Sequence, residues 1–357
     1  MYCSRLLMRA LAFFGGLALV SVLPTITQGY MLATSSGTCQ GPTMSLGDSP
    51  RKVLVTGAGG RTGTLVFQKL QAKTDFQPIG LVRSKKSASK LRKAAGATDE
   101  QIVIGDVMDP ATLSKALEGC DSLILCTSAT PKILLFSVIK ILFKKLLRRA
   151  PGRPEFKFPP RGEPEEVDWL GAKNQVDAAL AAGVKHFVFL GSMGGTQPDN
   201  FLNSIGKRPD GSGGDILLWK RKAEKYLIQR ANSHGMSYTI VHPGGLLDKP
   251  GGQQELVFDV DDVLLQRTTR SIPREDVAEV CVQALLQSKA KNVALDVIAE
   301  AVGTGTPTTD FSALFDSLQN RSCAGERGYN RTLVCIVSIF FASATKHDEQ
   351  FYASLAT

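Results

Sequence analysis

The sequence predicts an α/β protein built on a doubly wound parallel sheet. Two observations carry that expectation. From Arg51 onward, short apolar, β-branched runs alternate with helical patterns, as they must when each parallel strand needs a crossover helix to return. The first run, KVLVTG at 52–57, ends in glycines that lead straight into a helical stretch, the layout of a nucleotide-binding βαβ unit.

The elements follow in order. TLVFQKL (64–70) has helical spacing, PIGLVR (78–83) is the second strand, and a polar helix covers 86–95. QIVIGD (101–106) is a third strand, a helix runs from Pro110 to Glu118, and SLILCTS (122–128) is a fourth strand. A helix over 166–182 leads to strand HFVFLGS (186–192), and a helix over 215–231 leads to strand YTIVHPGG (238–245). A last helix, 274–287, precedes strand VALDVI (293–298). Two Pro/Gly-rich stretches, 152–165 and 196–214, read as loops inside one domain over 51–318. Residues 319–357 form a tail of unknown role; its apolar stretch LVCIVSIFFASA (333–344) is too short to cross a bilayer.

The bulk properties exclude several classes. Seven cysteines are scattered without a C-x-x-C pair or histidines at ligand spacing, so neither a metal site nor a disulfide scaffold is expected. The net charge of +9 is local: residues 131–161 hold nine basic side chains against one acid, Glu155, and the rest of the chain is near neutral. No nucleic-acid partner is therefore expected. Within that window, 132–149 reads as a basic amphipathic helix. Lys140, Lys144, Lys145 and Arg148 share one face, and Ile133, Phe136, Ile139, Phe143 and Leu147 another. Such a helix suits an anionic membrane surface, a partner groove, a lid, or a cover on the sheet edge.

Residues 1–50 read as a targeting presequence. A basic start, MYCSRLLMR, precedes the apolar run ALAFFGGLALVSVL and Pro24, so 1–29 is signal-like with cleavage expected before Tyr30. Residues 30–50 are transit-like, rich in Ser and Thr. In series the two resemble the bipartite presequences of algae with secondary plastids, which implies a plastid; the secretory pathway is the alternative.

The glycine loop, VTGAGGRTGTLV, spaces Gly57, Gly60 and Gly63 three apart between strand and helix. Glycine there permits the tight turn, lets backbone N–H groups approach a pyrophosphate and allows close helix packing. The end of the second strand selects the cofactor. An acid there would hold the ribose hydroxyls of NAD; this chain has Arg83, with Arg61 in the loop, which suits the 2′-phosphate of NADP.

With these motifs the chain resembles the atypical short-chain dehydrogenase/reductases of the NmrA-like, NAD(P)H-binding kind, in particular their small single-domain NADP-binding members from plants. VLVTGAGGRTG, GRPEF, VDWLGAKNQVDAALAAGVKH, GSMGG, WKRKAE, GGLLDK and IPREDVAEVC carry the resemblance over about 50–318. It implies a Rossmann sheet with a small C-terminal substrate lobe. It also implies that Gly57, Gly60, Arg61, Thr62, Gly63 and Arg83 bind cofactor, that Asp106 and Val107 contact adenine, and that Thr127 and Ser128 pass the nicotinamide-side ribose. Ser192 stands where the family has a polar catalytic residue. His242 is expected to be a packed strand-end residue rather than a base.

Catalytic members of the wider superfamily read Tyr-x-x-x-Lys-x-x-x-Glu on one helix, the tyrosine giving the proton. Aligning Lys220 and Glu224 puts Ile216 at the tyrosine position, and shifting to Lys222 puts Leu218 there. Lys220 is thus expected to hold the ribose, and Glu224 to be a partner in a helix-surface ion pair. Two functions remain open: an NADPH-dependent oxidoreductase on a small carbonyl or enone, or a non-catalytic NADP(H)-binding redox sensor or plastid assembly protein.

Overall fold

The structure, a computed structural model, describes residues 49–147 and 155–322. The expected presequence, all but its last two residues, and the apolar stretch 333–344 lie outside these. Strand β1 (Arg51–Thr56) leads through the glycine turn to α1 (Arg61–Gln71), and β2 (Phe76–Val82) to α2 (Lys85–Ala95). Then come β3 (Ile102–Ile104), α3 (Pro110–Ala116) and β4 (Ser122–Leu125). An excursion follows: β5 (Lys132–Ile133), α4 (Leu135–Leu146) and β6 (Phe156–Lys157). A π-helical turn, Glu165–Leu170, runs into α5 (Gly171–Ala181) and then β7 (His186–Leu190). The rest is α6 (Phe201–Ser204), α7 (Ile216–His234), β8 (Ser237–Pro243), β9 (Gly245–Leu247), β10 (Leu256–Asp259), β11 (Ser271–Pro273), α8 (Arg274–Leu286), β12 (Val293–Ala299) and α9 (Phe311–Ser322).

Eight strands form the main sheet in the order β3-β2-β1-β4-β7-β8-β12-β10. Seven run parallel and only β10 runs antiparallel, along the edge of β12. The Rossmann-type fold expected from the alternating pattern is present. Strand β1 shows how the sequence produces it. Val53 and Val55 enter the core against α1 and α8, Leu54 enters the core against α3, α5 and α7, and all three are fully buried. A strand sandwiched between helix layers must be apolar on both faces.

The order of strands reverses between β1 and β4, which pair in parallel, Val53–Thr56 against Ser122–Leu125. In such a sheet the crevice beyond the carboxyl ends of those two strands is the place for a ligand. Beyond the sheet, β9 and β11 form a small parallel ribbon, which supplies one wall of that crevice.

Candidate functional site

The crevice is a cleft of about 800 Å³. Its floor is the glycine turn, and two glycines there are required by geometry. Gly57 has φ +66°, and a Cβ on it would stand 2.8 Å from the Cys126 carbonyl oxygen. A Cβ on Gly63 would stand 2.3 Å from the Gly57 carbonyl oxygen, so only glycine lets α1 start this close to the strand. Helix α1 has no side-chain cap and no acid in its first turn. Its leading N–H groups have no intrahelical acceptors, so this helix end is suited to an anion. The Thr64 hydroxyl donates to the carbonyls of Ala58 or Gly60, at 2.8 and 2.7 Å, and steadies the turn.

Every residue expected in the site lines this one cleft: Gly57, Gly60, Arg61, Thr62, Gly63, Arg83, Asp106, Val107, Thr127, Ser128, Ser192 and Lys220. The β2 end of the cleft is cationic, with Arg83, Ser87 and Lys90 along it and no acid between Leu81 and Lys90. Arg61 behaves differently from Arg83. Its guanidinium lies 2.8 Å from the Asp248 carboxylate, whose other oxygen accepts from Arg274 at 2.6 Å. Arg61 therefore ties the glycine turn to the chain after β9, and Arg83 is left as the arginine at the β2 end.

The opposite end is built on a helix with buried charges. Lys220 and Glu224, on α7, are 6 % and 2 % exposed. Glu224 is thus not a surface ion-pair partner, contrary to its i,i+4 spacing from Lys220. Its carboxylate accepts from Arg221 at 2.8 Å and lies 3.1 Å from His242 Nε2. His242, buried at the end of β8 as expected, places Nδ1 3.2 Å from Asp296 on the neighbouring strand β12. Asp296 accepts from the Asp262 backbone N–H at 2.6 Å, and the Asp262 carboxylate accepts from the N–H groups of Gly194 and Thr196. The chain of contacts ends on the GSMGG loop that carries Ser192.

Burial alone would lower the pKa of His242, but the flanking Glu224 and Asp296 outweigh it and raise it to about 9, so the imidazole is held as a cation. Burial would likewise raise the Glu224 carboxyl; the cationic His242 beside it, with Arg221 and Lys220, holds it below its ordinary value. For Asp296 burial wins, and its carboxyl is raised.

Lys220 has a partner that sequence reasoning missed. Its Nζ lies 2.8 Å from Asp168, which is buried on the π-helical turn. The other Asp168 oxygen accepts from the Ala129 N–H at 3.1 Å, beyond β4. Gln175 Nε2, seven residues on in α5, donates to the Thr127 hydroxyl at 3.2 Å. Asp168 and Gln175 thus fasten the Thr127–Ala129 segment, and Asp168 also fixes Lys220. A signal for Asp168 was present in the sequence: it stands in line with the buried stripe Ala172, Gln175, Val176, Ala179 of the same helix, where an acid is out of place. Ile216, at the superfamily's tyrosine position, lines the cleft too.

The uncapped, acid-free start of α1, its glycine cradle and the cations beyond β2 fit a dinucleotide. The family model of NAD(P)H-binding proteins matches residues 57–288. The chain belongs to this NAD(P)H-binding family, as an atypical short-chain dehydrogenase/reductase of the NmrA-like kind. Sanguinarine reductase of Eschscholzia californica is 46% identical over 290 residues, covering 76% of this chain and 98% of the relative. An uncharacterised chloroplastic protein of Arabidopsis thaliana is 48% identical over 273 residues, 76% of this chain and 77% of the relative. Among solved structures, a Bacillus halodurans protein described as an NAD-dependent epimerase/dehydratase aligns with TM-score 0.53 at 23% identity. That alignment covers 75% of this chain and all of the other, and it is a likeness of fold.

Proposed function

We propose that this protein is an NADPH-dependent reductase of a small carbonyl or enone. The observation that carries the reading is the single cleft with a cationic β2 end, at Arg83, Ser87 and Lys90, and a buried lysine, Lys220, at the other. The 46% identity to a protein named as a reductase supports it. Arg83 suits the 2′-phosphate because a guanidinium makes two charge-assisted bonds to phosphate. The first turn of α1 suits the pyrophosphate, Asp106 and Val107 the adenine, and Thr127, Ser128 and Lys220 the nicotinamide-side ribose.

Bound NADPH would supply a hydride to the electrophilic carbon. The residues must then deliver a proton to the oxygen. Ile216 has none to give, so Ser192 or water admitted to the cleft takes that role. The Ser192 hydroxyl now donates to its neighbour's carbonyl at 3.2 Å and is free to turn toward a substrate. The Asp168–Lys220 pair orients the lysine, and the buried network behind it holds the Ser192 loop.

One observation favours the second reading, a non-catalytic NADP(H)-binding sensor or assembly protein: the position of the superfamily's proton donor holds isoleucine. A single experiment separates the two. Purified protein should consume NADPH with a panel of carbonyls and enones. Replacing Arg83 with Ala should weaken NADPH binding by roughly tenfold or more, the worth of a charge-assisted pair, and leave NADH binding unchanged. Tight NADPH binding without turnover supports the sensor; equal affinity of the intact protein for NADH and NADPH refutes NADP preference.

The chloroplastic names of two relatives and the composition of residues 1–50 support a plastid location. A fluorescent protein fused behind residues 1–50 should enter plastids; its secretion would refute this.

A further inference from the structure

The excursion between β4 and α5 is the part of the molecule that the cofactor cleft does not explain. β5 and β6 pair as a short antiparallel stalk, Lys132 opposite Lys157 and Ile133 opposite Phe156. The stalk carries α4 at its tip. Among the described side chains, Ser137 fastens one side of α4: its buried hydroxyl donates to the Leu134 carbonyl at 2.6 Å and accepts from the Glu155 N–H at 3.0 Å. Four of its described apolar side chains face outward. Phe136 is 81 % exposed, Ile139 59 %, Leu142 61 % and Phe143 61 %. At roughly 100° per residue these fall on one arc, with the exposed Lys140 and Lys144 along its edge.

We propose that α4 docks this protein on the surface of an anionic lipid bilayer. Three observations select that occupant. The arc of Phe136, Ile139, Leu142 and Phe143 covers no part of the sheet, because these four side chains are exposed. Twelve residues are too few to cross a bilayer but suit a helix lying in the headgroup region. The charge decides between a bilayer and a second copy of the chain. Nine basic residues stand against one acid between 131 and 161, and that acid, Glu155, already lies 3.9 Å from Lys140. Two such faces repel each other, whereas each cation near an anionic surface is attracted to it.

The site of docking has a consequence for the cleft. Thr130 and Pro131 at one foot of the excursion, and Pro159, Arg161 and Gly162 at the other, line the cleft itself. A docked α4 brings the mouth of the cleft beside the lipid, where an apolar substrate would be concentrated.

The test is co-sedimentation of the full chain with vesicles of mixed phosphatidylglycerol and phosphatidylcholine, and with vesicles of phosphatidylcholine alone. Residues 1–29 carry an apolar run of their own, so the reading is the difference between intact and variant chains. One variant is Lys140→Gln/Lys144→Gln; the other is Phe136→Ser/Phe143→Ser. Binding to the anionic vesicles should weaken with salt, fall about fivefold per cation removed, and be lost in the phenylalanine variant. Circular dichroism, rather than NADPH binding, verifies that the variants fold, so failure of the cofactor reading leaves this test intact. Equal binding to neutral vesicles, variants that bind like the intact chain, or no binding at low salt each overturn the proposal. So does a dimer in size-exclusion chromatography that Phe136→Ser/Phe143→Ser breaks while neither protein binds vesicles, which would make a second copy the occupant.

Discussion

Helices α4 and α7 invert the usual partition in opposite directions. α7 buries a lysine and a glutamate, whereas α4 exposes two phenylalanines and a leucine to more than half their surface. Neither is economical for a lone folded chain. Burying charge costs several kcal/mol per ion unless each is paired, and exposed apolar side chains forgo the burial that stabilises a core. α7 meets its cost inside the molecule, through Asp168, Arg221 and His242. α4 has no such internal compensation for its apolar arc. An inverted residue that is compensated internally belongs to the machinery; one that is not points outward.

The sharpest way to break this contrast is Glu224→Ala. It leaves the His242 cation buried against Asp296 and Arg221 alone, and removing one member of a buried pair costs about 3–5 kcal/mol. Urea unfolding should show that loss; a change below about 1 kcal/mol would mean the network is open to water.

A somewhat smaller effect is expected from pH. His242 is raised from 6.5 to about 9, so its contribution is complete below pH 6.5 and is lost as pH rises through about 9. The shift corresponds to stability on the order of 3 kcal/mol. His186 is the opposite case. Burial lowers it to about 4, so the stability that its neutral form contributes is present above pH 6.5 and lost as pH falls toward 4. Urea midpoints measured across pH should therefore be highest near neutrality and fall on both sides. In Glu224→Ala the alkaline arm should flatten, because the main group raising His242 is gone.

The smallest effect belongs to α4. Phe136→Ser/Phe143→Ser should change the unfolding free energy, read from urea unfolding, by no more than about 0.5 kcal/mol, as exposed positions do. A larger loss would show that the arc packs on the molecule after all.

What was legible in the sequence differs between the same two helices. The parallel core strands and the glycine turn could be read because their signals are local: β-branched runs, and glycines in a strand-turn-helix context. Strand β10 was not read, since LVFD is only four residues long and acquires its strand character from antiparallel pairing with β12. The cleft-lining residues of the glycine turn, Arg83, Thr127, Ser192 and Lys220 were all found at strand ends or on α7. The partners of Lys220 and Glu224 were not. Asp168 lies 52 positions before Lys220 and His242 lies 18 after Glu224, so neither pairing has a signature in sequence spacing; the i,i+4 rule for exposed helices suggested the wrong partner. Ser87 and Lys90, beside Arg83 in the cleft, lie among several polar residues after β2, and only the turn into α2 selects them. The helix expected over 132–149 is shorter: Lys132–Ile133 pair as strand β5 and α4 spans Leu135–Leu146, because the antiparallel pairing with β6 takes the first residues.

The π-helical turn at Glu165–Leu170 sets how this stretch of chain tolerates insertion and deletion. A π turn holds about one residue more than an α turn. Deleting one residue from it would let the segment close as regular α-helix while the flanking chain kept its direction, because a π turn absorbs its extra residue within one turn. Asp168, inside the turn, would lose the angle that sets its carboxylate against Lys220 and the Ala129 N–H. In this segment a shorter gene would encode a tidier helix and a disarmed lysine.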